Sequence, residues 1–187
     1  MTDRAPIPEP RVRLRPPEER DRVAFTAAVR MSVDLHGIWL EPADPETWFD
    51  RLLQRDSSES DRSFLVIRTG DGAPVGVYNL SQITYGPLCS AILGYYALAP
   101  HARNGYMREG LELLLEHAFG PLMLHRIEAN IQPGNAASLA LVRGAGFRRE
   151  GLSPNYLRIR EAWRDHERWA IAVEDRRRDP PWASPEP

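Results

Sequence analysis

The sequence contains no lysine: all 24 of its basic residues are arginine. That absence excludes mechanisms built on a lysine amine, such as Schiff-base and pyridoxal phosphate chemistry, and a Walker loop with its phosphate-binding lysine. Cysteine is almost absent too. A single Cys89 allows no internal disulfide framework and fits a reducing, cytoplasmic setting. It lies in an apolar stretch with no histidine nearby, so it reads as a buried thiol and not a nucleophile. The five histidines show no metal-ligand spacing, and no metal is expected. Charge of one sign is lacking as well. The formal net charge of −2 gives no electrostatic case for nucleic acid or an anionic membrane as partner. Apolar runs are too short and too broken for a membrane span. The polar, Pro-rich residues 1–10 hold no apolar segment for a secretory signal.

What is present is ordinary for one soluble domain. The chain has 187 residues, 42% apolar and 27% charged, enough for one hydrophobic core and short for two. A flexible segment is expected over residues 1–10, one domain over 11–174, and a flexible Pro-rich tail over 175–187.

The hydrophobic pattern gives an order of elements. A short strand over 12–15 ends at Pro16-Pro17, and a helix start follows over 17–21 with acids in its first turn. The next helical face is expected to carry Val23, Ala24, Ala27, Ala28 and Met31. A loop over 36–45 precedes a short helix over 46–55. Strands over 64–68, 75–82 and 90–98, joined by short turns, imply an antiparallel meander. The stripe Met107, Leu111, Leu114, Leu115 and Ala118 marks a core-facing helix over 106–119. A strand over 125–131, a helix from Asn135 to residue 145, and two last strands complete a mixed α/β domain.

Two strand-to-helix junctions hold the polar residues that bear on chemistry. In the first, residues 98–109, Gly105 would let the backbone approach an anion at a helix N-terminus. Arg103 and Arg108 would add charge-assisted hydrogen bonds there. An ordinary cap with solvated arginines explains the same residues. In the second, Asn135 capping a helix and an exposed Ser138 account for both residues without any function.

Three longer stretches are more specific as a set. They read LGYYALAPHARNGYMREGL from Leu93, LHRIEANIQPGNAASLALVRGAGFRREG from Leu124, and NYLRIREAWRDHERWAI from Asn155. Over residues 12–173 the chain resembles the RimJ/RimL group of GNAT acetyltransferases, the ribosomal-protein-alanine N-acetyltransferases and their relatives, and lies nearer RimJ. The resemblance implies a GNAT fold: a central, mixed, mostly antiparallel sheet with helices on both faces. It implies acetyl-CoA as donor and a primary amine as acceptor. A monomer or a homodimer is compatible with it.

By the same resemblance the first junction cradles the pyrophosphate through a pattern Q/R-x-x-G-x-G/A, which falls on Ala102-Arg103-Asn104-Gly105-Tyr106-Met107, with Arg108 following. Gly105 fits. Ala102 replaces the usual Gln or Arg, Arg103 stands where relatives often carry a glycine, and Met107 replaces a small residue. Backbone groups near Ala97 and Leu98 would bond the pantetheine arm, and Asn135 would face it. Ser138 is the candidate for protonating the departing thiolate. The position matching the RimL-branch glutamate is Leu157, so that base does not carry over. Glu150 takes the role as a candidate, with Glu128 and the pair Asp165 and His166 behind it; a strand-end carboxylate paired with one of the many arginines explains each of them without a catalytic role. His36, Trp39 and Glu41 would line the acceptor site.

Chemistry favours an α-amine as acceptor. Its pKa of about 7.7–8.0 lies roughly 2.5 units below that of a lysine amine, about 3.4 kcal/mol less work to deprotonate near neutral pH. A protein N-terminus is therefore the first expectation, and the resemblance implies the N-terminal alanine of a ribosomal protein. A small amine such as an antibiotic or metabolite is the second. A CoA-binding sensor that has lost turnover is the third.

Overall fold

The computed structural model of the protein describes residues 10–41, 43–56, 58–99 and 101–176. Strand β1 (Val12–Arg15) leads through a 3-10 turn (Glu19–Asp21) into α1 (Arg22–Arg30), α2 (Val33–His36) and α3 (Pro45–Asp56). A meander of β2 (Arg62–Arg68), β3 (Pro74–Thr84) and β4 (Ser90–Ala97) follows. Then α4 (Tyr106–Phe119) crosses to β5 (Arg126–Ile131), and α5 (Ala136–Gly144), β6 (Arg148–Ile159), β7 (Ala162–Ala172) and α6 (Val173–Arg176) complete the order. The seven strands form one sheet in the order β1-β2-β3-β4-β5-β7-β6. Only β4 and β5 pair in parallel.

Strand β2 shows why helices cover both faces. Its apolar residues run without a break, as a strand buried on two sides requires. Phe64 and Val66 join the core under α4, with Leu111, Leu114 and Leu115. Leu65 and Ile67 join the opposite core under α1 and α3, with Phe25, Phe49 and Leu52.

Helix α1 lies turned from the expected face. Phe25, Ala28 and Val29 are buried, whereas Val23 is 80% and Met31 59% exposed. Phe25 stacks on Phe49 of α3 with ring centroids 5.3 Å apart. One aromatic ring buries more area than the small alanines of the other face, and it sets the rotation. A second correction concerns the end of the domain. The flexible tail was expected from residue 175, yet α6 (Val173–Arg176) includes residues 175 and 176 and is held by an ion pair between Arg176 and Glu112 of α4. The expectations for residues 1–9 and 177–187 lie outside the described residues. No described helix is long and apolar enough to cross a membrane.

One irregularity positions the site. Strands β4 and β5 pair only from Ser90↔Arg126 to Leu93↔Ala129. Beyond that point β4 continues to Ala97, hydrogen-bonded to β3 alone, while β5 stays with β7 to Ile131. The sheet is split there, and an unpaired strand edge faces the gap.

Candidate active site

The gap opens into a cavity of about 550 Å³. Its walls are the free edge of β4, the N-terminal turns of α4 and α5, and the segment that follows α2.

On β4, the Leu98 N–H donates to Val75 O at 2.8 Å, and Ala97 pairs with Gly76. In an antiparallel ladder, bonded and non-bonded pairs alternate. The N–H and C=O groups of Tyr95 and Ala97 therefore point away from β3, into the gap. Leu98 does not: its N–H is spent on β3 and its side chain is fully buried. Of the two residues expected at the pantetheine arm, Ala97 offers backbone to the cavity, and Tyr95 joins it in place of Leu98.

The loop before α4 turns through two left-handed residues, Arg103 (φ 65°) and Gly105 (φ 83°). Asn104 does not line the cavity. Its amide donates to the carbonyls of His101 and Ala102, both at 3.2 Å, and so braces the loop. Arg11, just ahead of β1, donates to Asn104 O at 3.2 Å and pairs with Glu109. The first N–H groups of α4, those of Tyr106 and Met107, have no carbonyl one turn below them. Arg103 and Arg108 line the cavity, and neither has a carboxylate partner among the described residues. The guanidinium groups of Arg11 (5.0 Å) and Arg68 (5.6 Å) both lie over the Tyr106 ring. Arg68 also donates to His101 Nδ1 at 3.0 Å. The result is a positive helix end with free donors, the arrangement a pyrophosphate needs.

At α5, Asn135 is the N-cap: its Oδ1 accepts from the Ser138 N–H at 3.1 Å. Both residues also line the cavity. The Ser138 carbonyl accepts from Tyr95 Oη at 3.1 Å, which ties α5 to β4 across the gap. The Ser138 hydroxyl has no partner among the described residues and sits in the first turn of the helix, where the dipole favours an anion.

The remaining wall is apolar. Trp39 packs its ring against Gly134, where an added Cβ would meet the indole at 3.2 Å. His36 lies beside Trp48 and Tyr96 (ring centroids 5.4 and 5.5 Å), with Nε2 2.9 Å from Ala97 O. Burial holds its imidazole below the ordinary range, against a smaller opposing effect of the Ala97 bond. Glu41 is exposed, outside the cavity wall, and accepts from the Arg160 N–H at 2.6 Å, while Arg160 Nε donates to Leu40 O at 3.2 Å. It anchors the loop after α2 to the β6–β7 hairpin.

The cavity does not bring the expected carboxylate bases together. Glu150 is clamped by Arg126 and Arg148, and the Arg126 hydrogen bonds hold it below the usual carboxylate range. Glu128 shares Arg126, and Asp165 accepts the Asn155 N–H at 2.8 Å. None of these lines the cavity, and neither does His166. Tyr95, Tyr96 and His101 do, and sequence reasoning had not singled them out. Tyr95-Tyr96 stood inside the first quoted stretch, whereas no local signal marked Arg11 or Arg68.

Residues 11–148 match the family described as Acetyltransferase (GNAT) domain. The probable N-acetyltransferase YjcK of Bacillus subtilis is 34% identical over 122 residues, 65% of this chain and 67% of that protein. The ribosomal protein uS5-alanine N-acetyltransferase of Escherichia coli is 34% identical over 101 residues, 54% of this chain and 52% of that protein, so the match spans about half of that relative. Among solved structures, Mycobacterium smegmatis RimJ in complex with CoA-disulfide has a TM-score of 0.78 at 32% identity, covering 88% of this chain and 83% of that one. The spermidine N-acetyltransferase of Vibrio cholerae in complex with CoA and spermine has a TM-score of 0.73 at 21% identity, over 90% and 99%, a likeness of fold alone.

Proposed function

The chain belongs to the GNAT acetyltransferase family and is an acetyl-CoA-dependent N-acyltransferase, and from that premise we propose that its acceptor is the α-amine of a protein N-terminus. The observation that carries this reading is the charge of the cavity. No aspartate or glutamate lines it among the described residues, whereas Arg103 and Arg108 do. A polyamine would bring further ammonium groups into a wall with no counter-charge, at a cost of several kcal/mol for each one buried. An N-terminus brings one amine that titrates near ~8 and is driven neutral by apolar surroundings. Leu35, Trp39 and Leu40 supply those surroundings and suit a small first residue such as alanine. The relatives named as ribosomal-protein-alanine acetyltransferases support the same acceptor.

The residues present fit the donor. The N–H groups of Tyr106 and Met107, with Arg103 and Arg108, hold the pyrophosphate. The outward-facing backbone of Tyr95, the Ala97 N–H and the Asn135 side chain hold the arm. Acetyl-CoA supplies the acetyl group as a thioester. Ser138 donates its hydroxyl proton to the departing sulfur, and the α5 dipole stabilises the charge that develops there.

The test is thiol release from acetyl-CoA with peptides starting in alanine or serine, the same peptides Nα-blocked with an internal lysine, and spermidine. Release with free N-termini alone is expected. Faster turnover of spermidine or an aminoglycoside would overturn the reading in favour of a small-amine acceptor.

A further inference from the structure

The described cavity wall offers two kinds of group that could take a proton from the amine, tyrosines and histidines, and no carboxylate. Tyr106 has its ring under the guanidinium groups of Arg11 and Arg68, at the phosphate end of the cavity. Tyr95 and Tyr96 are excluded by burial, which pushes both phenols far above their ordinary range. His101 uses Nδ1 to accept from Arg68. A protonated Nδ1 there would face a guanidinium.

His36 differs. A carbonyl only accepts, so the 2.9 Å contact between Nε2 and Ala97 O requires that Nε2 carry the proton. Nδ1 is then the lone pair of the neutral ring, and no described residue bonds to it. The elements packed on His36 bring no fixed charge against it. From α3 comes Trp48, and from β4 comes Tyr96, which stays neutral because burial pushes its phenol up, against a smaller opposing effect of Arg55. The carbonyl that orients the ring lies on the free edge of β4, in the same gap as Ser138. A base whose ring is fixed by a hydrogen-bond acceptor, lining the same cavity as a leaving-group acid, is the combination that amine acylation uses.

We propose that His36 is the general base of the reaction, accepting the amine proton at Nδ1 while Ala97 O holds Nε2–H. This rests on amine acetylation by the chain and not on the choice of acceptor. The amine nitrogen loses one proton to Nδ1, and its C–N bond to the acetyl carbon forms as the C–S bond breaks. Its second proton passes through the Ser138 hydroxyl to the sulfur. His36 then returns its proton to solvent. The sum is ammonium plus thioester giving amide, thiol and one proton.

The experiment compares wild type with His36→Gln, whose side-chain N–H can still reach Ala97 O but which has no basic lone pair. The acceptor is whichever amine wild type turns over fastest, so a wrong acceptor class leaves this test intact. At pH 7 the variant is expected to lose about 10²-fold in kcat/KM. The deficit should shrink as the pH rises past the amine pKa, because the amine then arrives neutral. Binding of acetyl-CoA by calorimetry should be unchanged. A deficit that is uniform with pH would make His36 a positioning residue and overturn the proposal, as would an unaltered rate. Wild type supplies an independent reading: the ¹⁵N shifts of His36 should report the Nε2–H tautomer at pH 7, and its titration should coincide with the acid limb of kcat/KM. An Nδ1–H tautomer overturns the proposal whatever the variant does. A wild type that acetylates no amine overturns both this and the acceptor reading.

Discussion

Met107 occupies the space that a side chain on Gly76 would need, its thioether lying where a Cβ on β3 would stand. The family pattern has a small residue at position 107; in this chain the large residue stands on α4 against a glycine on β3. Gly76→Ala must push the flexible thioether toward the cavity it lines, at a cost of about 1–3 kcal/mol in denaturant melts. In a Met107→Ala background the same change should be close to neutral, so the pair should show strong coupling. Equal costs in both backgrounds would mean that another neighbour, such as the Tyr96 carbonyl at 3.0 Å, excludes the side chain.

Ser138→Ala removes a hydroxyl and nothing else from the observed frame. The N–H to Asn135 and the carbonyl to Tyr95 belong to the backbone and persist. The expected result is a fall in kcat of roughly 10-fold or more, with little change in KM for acetyl-CoA, measured by steady-state thiol release. An unchanged kcat would leave the thiolate to the helix dipole alone.

The fold was legible because its signals are local and redundant. The continuous apolar run of β2, the period-3.6 stripe of α4 and the Asn135 cap each announce an element without outside help. The rotation of α1 was not legible, because Phe25 gains its weight only from Phe49, 24 positions away in sequence and brought near by the sheet. The site divides the same way. Gly105, Asn135 and Ser138 sit at junctions that composition marks, and the cavity gathers them. Arg11 and Arg68 reach the loop from strands on the far side of β3, so nothing adjacent to them in sequence records the contact. That Glu150 could be an arginine-paired structural carboxylate was legible from the abundance of arginine; which arginines hold it was not, because one comes from β5 and the other from its own strand.

Protonation should destabilise the ligand-free protein in a defined window. His36, His117 and His166 all titrate below the ordinary imidazole range, each chiefly because burial disfavours the charged ring. As the pH falls through about 6.5, the unfolded chain binds protons first and the native state only lower down. Stability is therefore complete above that value and lost as the pH drops through the window beneath it. Tm is expected to fall between pH 7.5 and 5.5. His117→Phe, which keeps the edge contact with Phe64, should reduce the fall. A Tm that stays level across this range would contradict the burial of these rings.

Arg103 has two separable properties, a left-handed backbone and a free cation at the cavity mouth. Alanine removes the cation and keeps the strain of a non-glycine residue at φ 65°. Glycine removes both. If the guanidinium meets a phosphate, each variant should weaken acetyl-CoA binding by about 5–10-fold, on the order of 1 kcal/mol for an exposed charge. Each should also flatten the dependence of affinity on salt. The two should part in stability: Arg103→Gly is expected to be more stable than Arg103→Ala by about 1 kcal/mol, the cost of the left-handed conformation for a residue with a Cβ. Unaltered affinity in both would make Arg103 a solvated surface residue and leave Arg108 and the α4 N–H groups to hold the pyrophosphate. Lowered affinity in alanine alone would mean that the loop leaves its left-handed conformation once the arginine side chain is gone, an effect of geometry and not of charge.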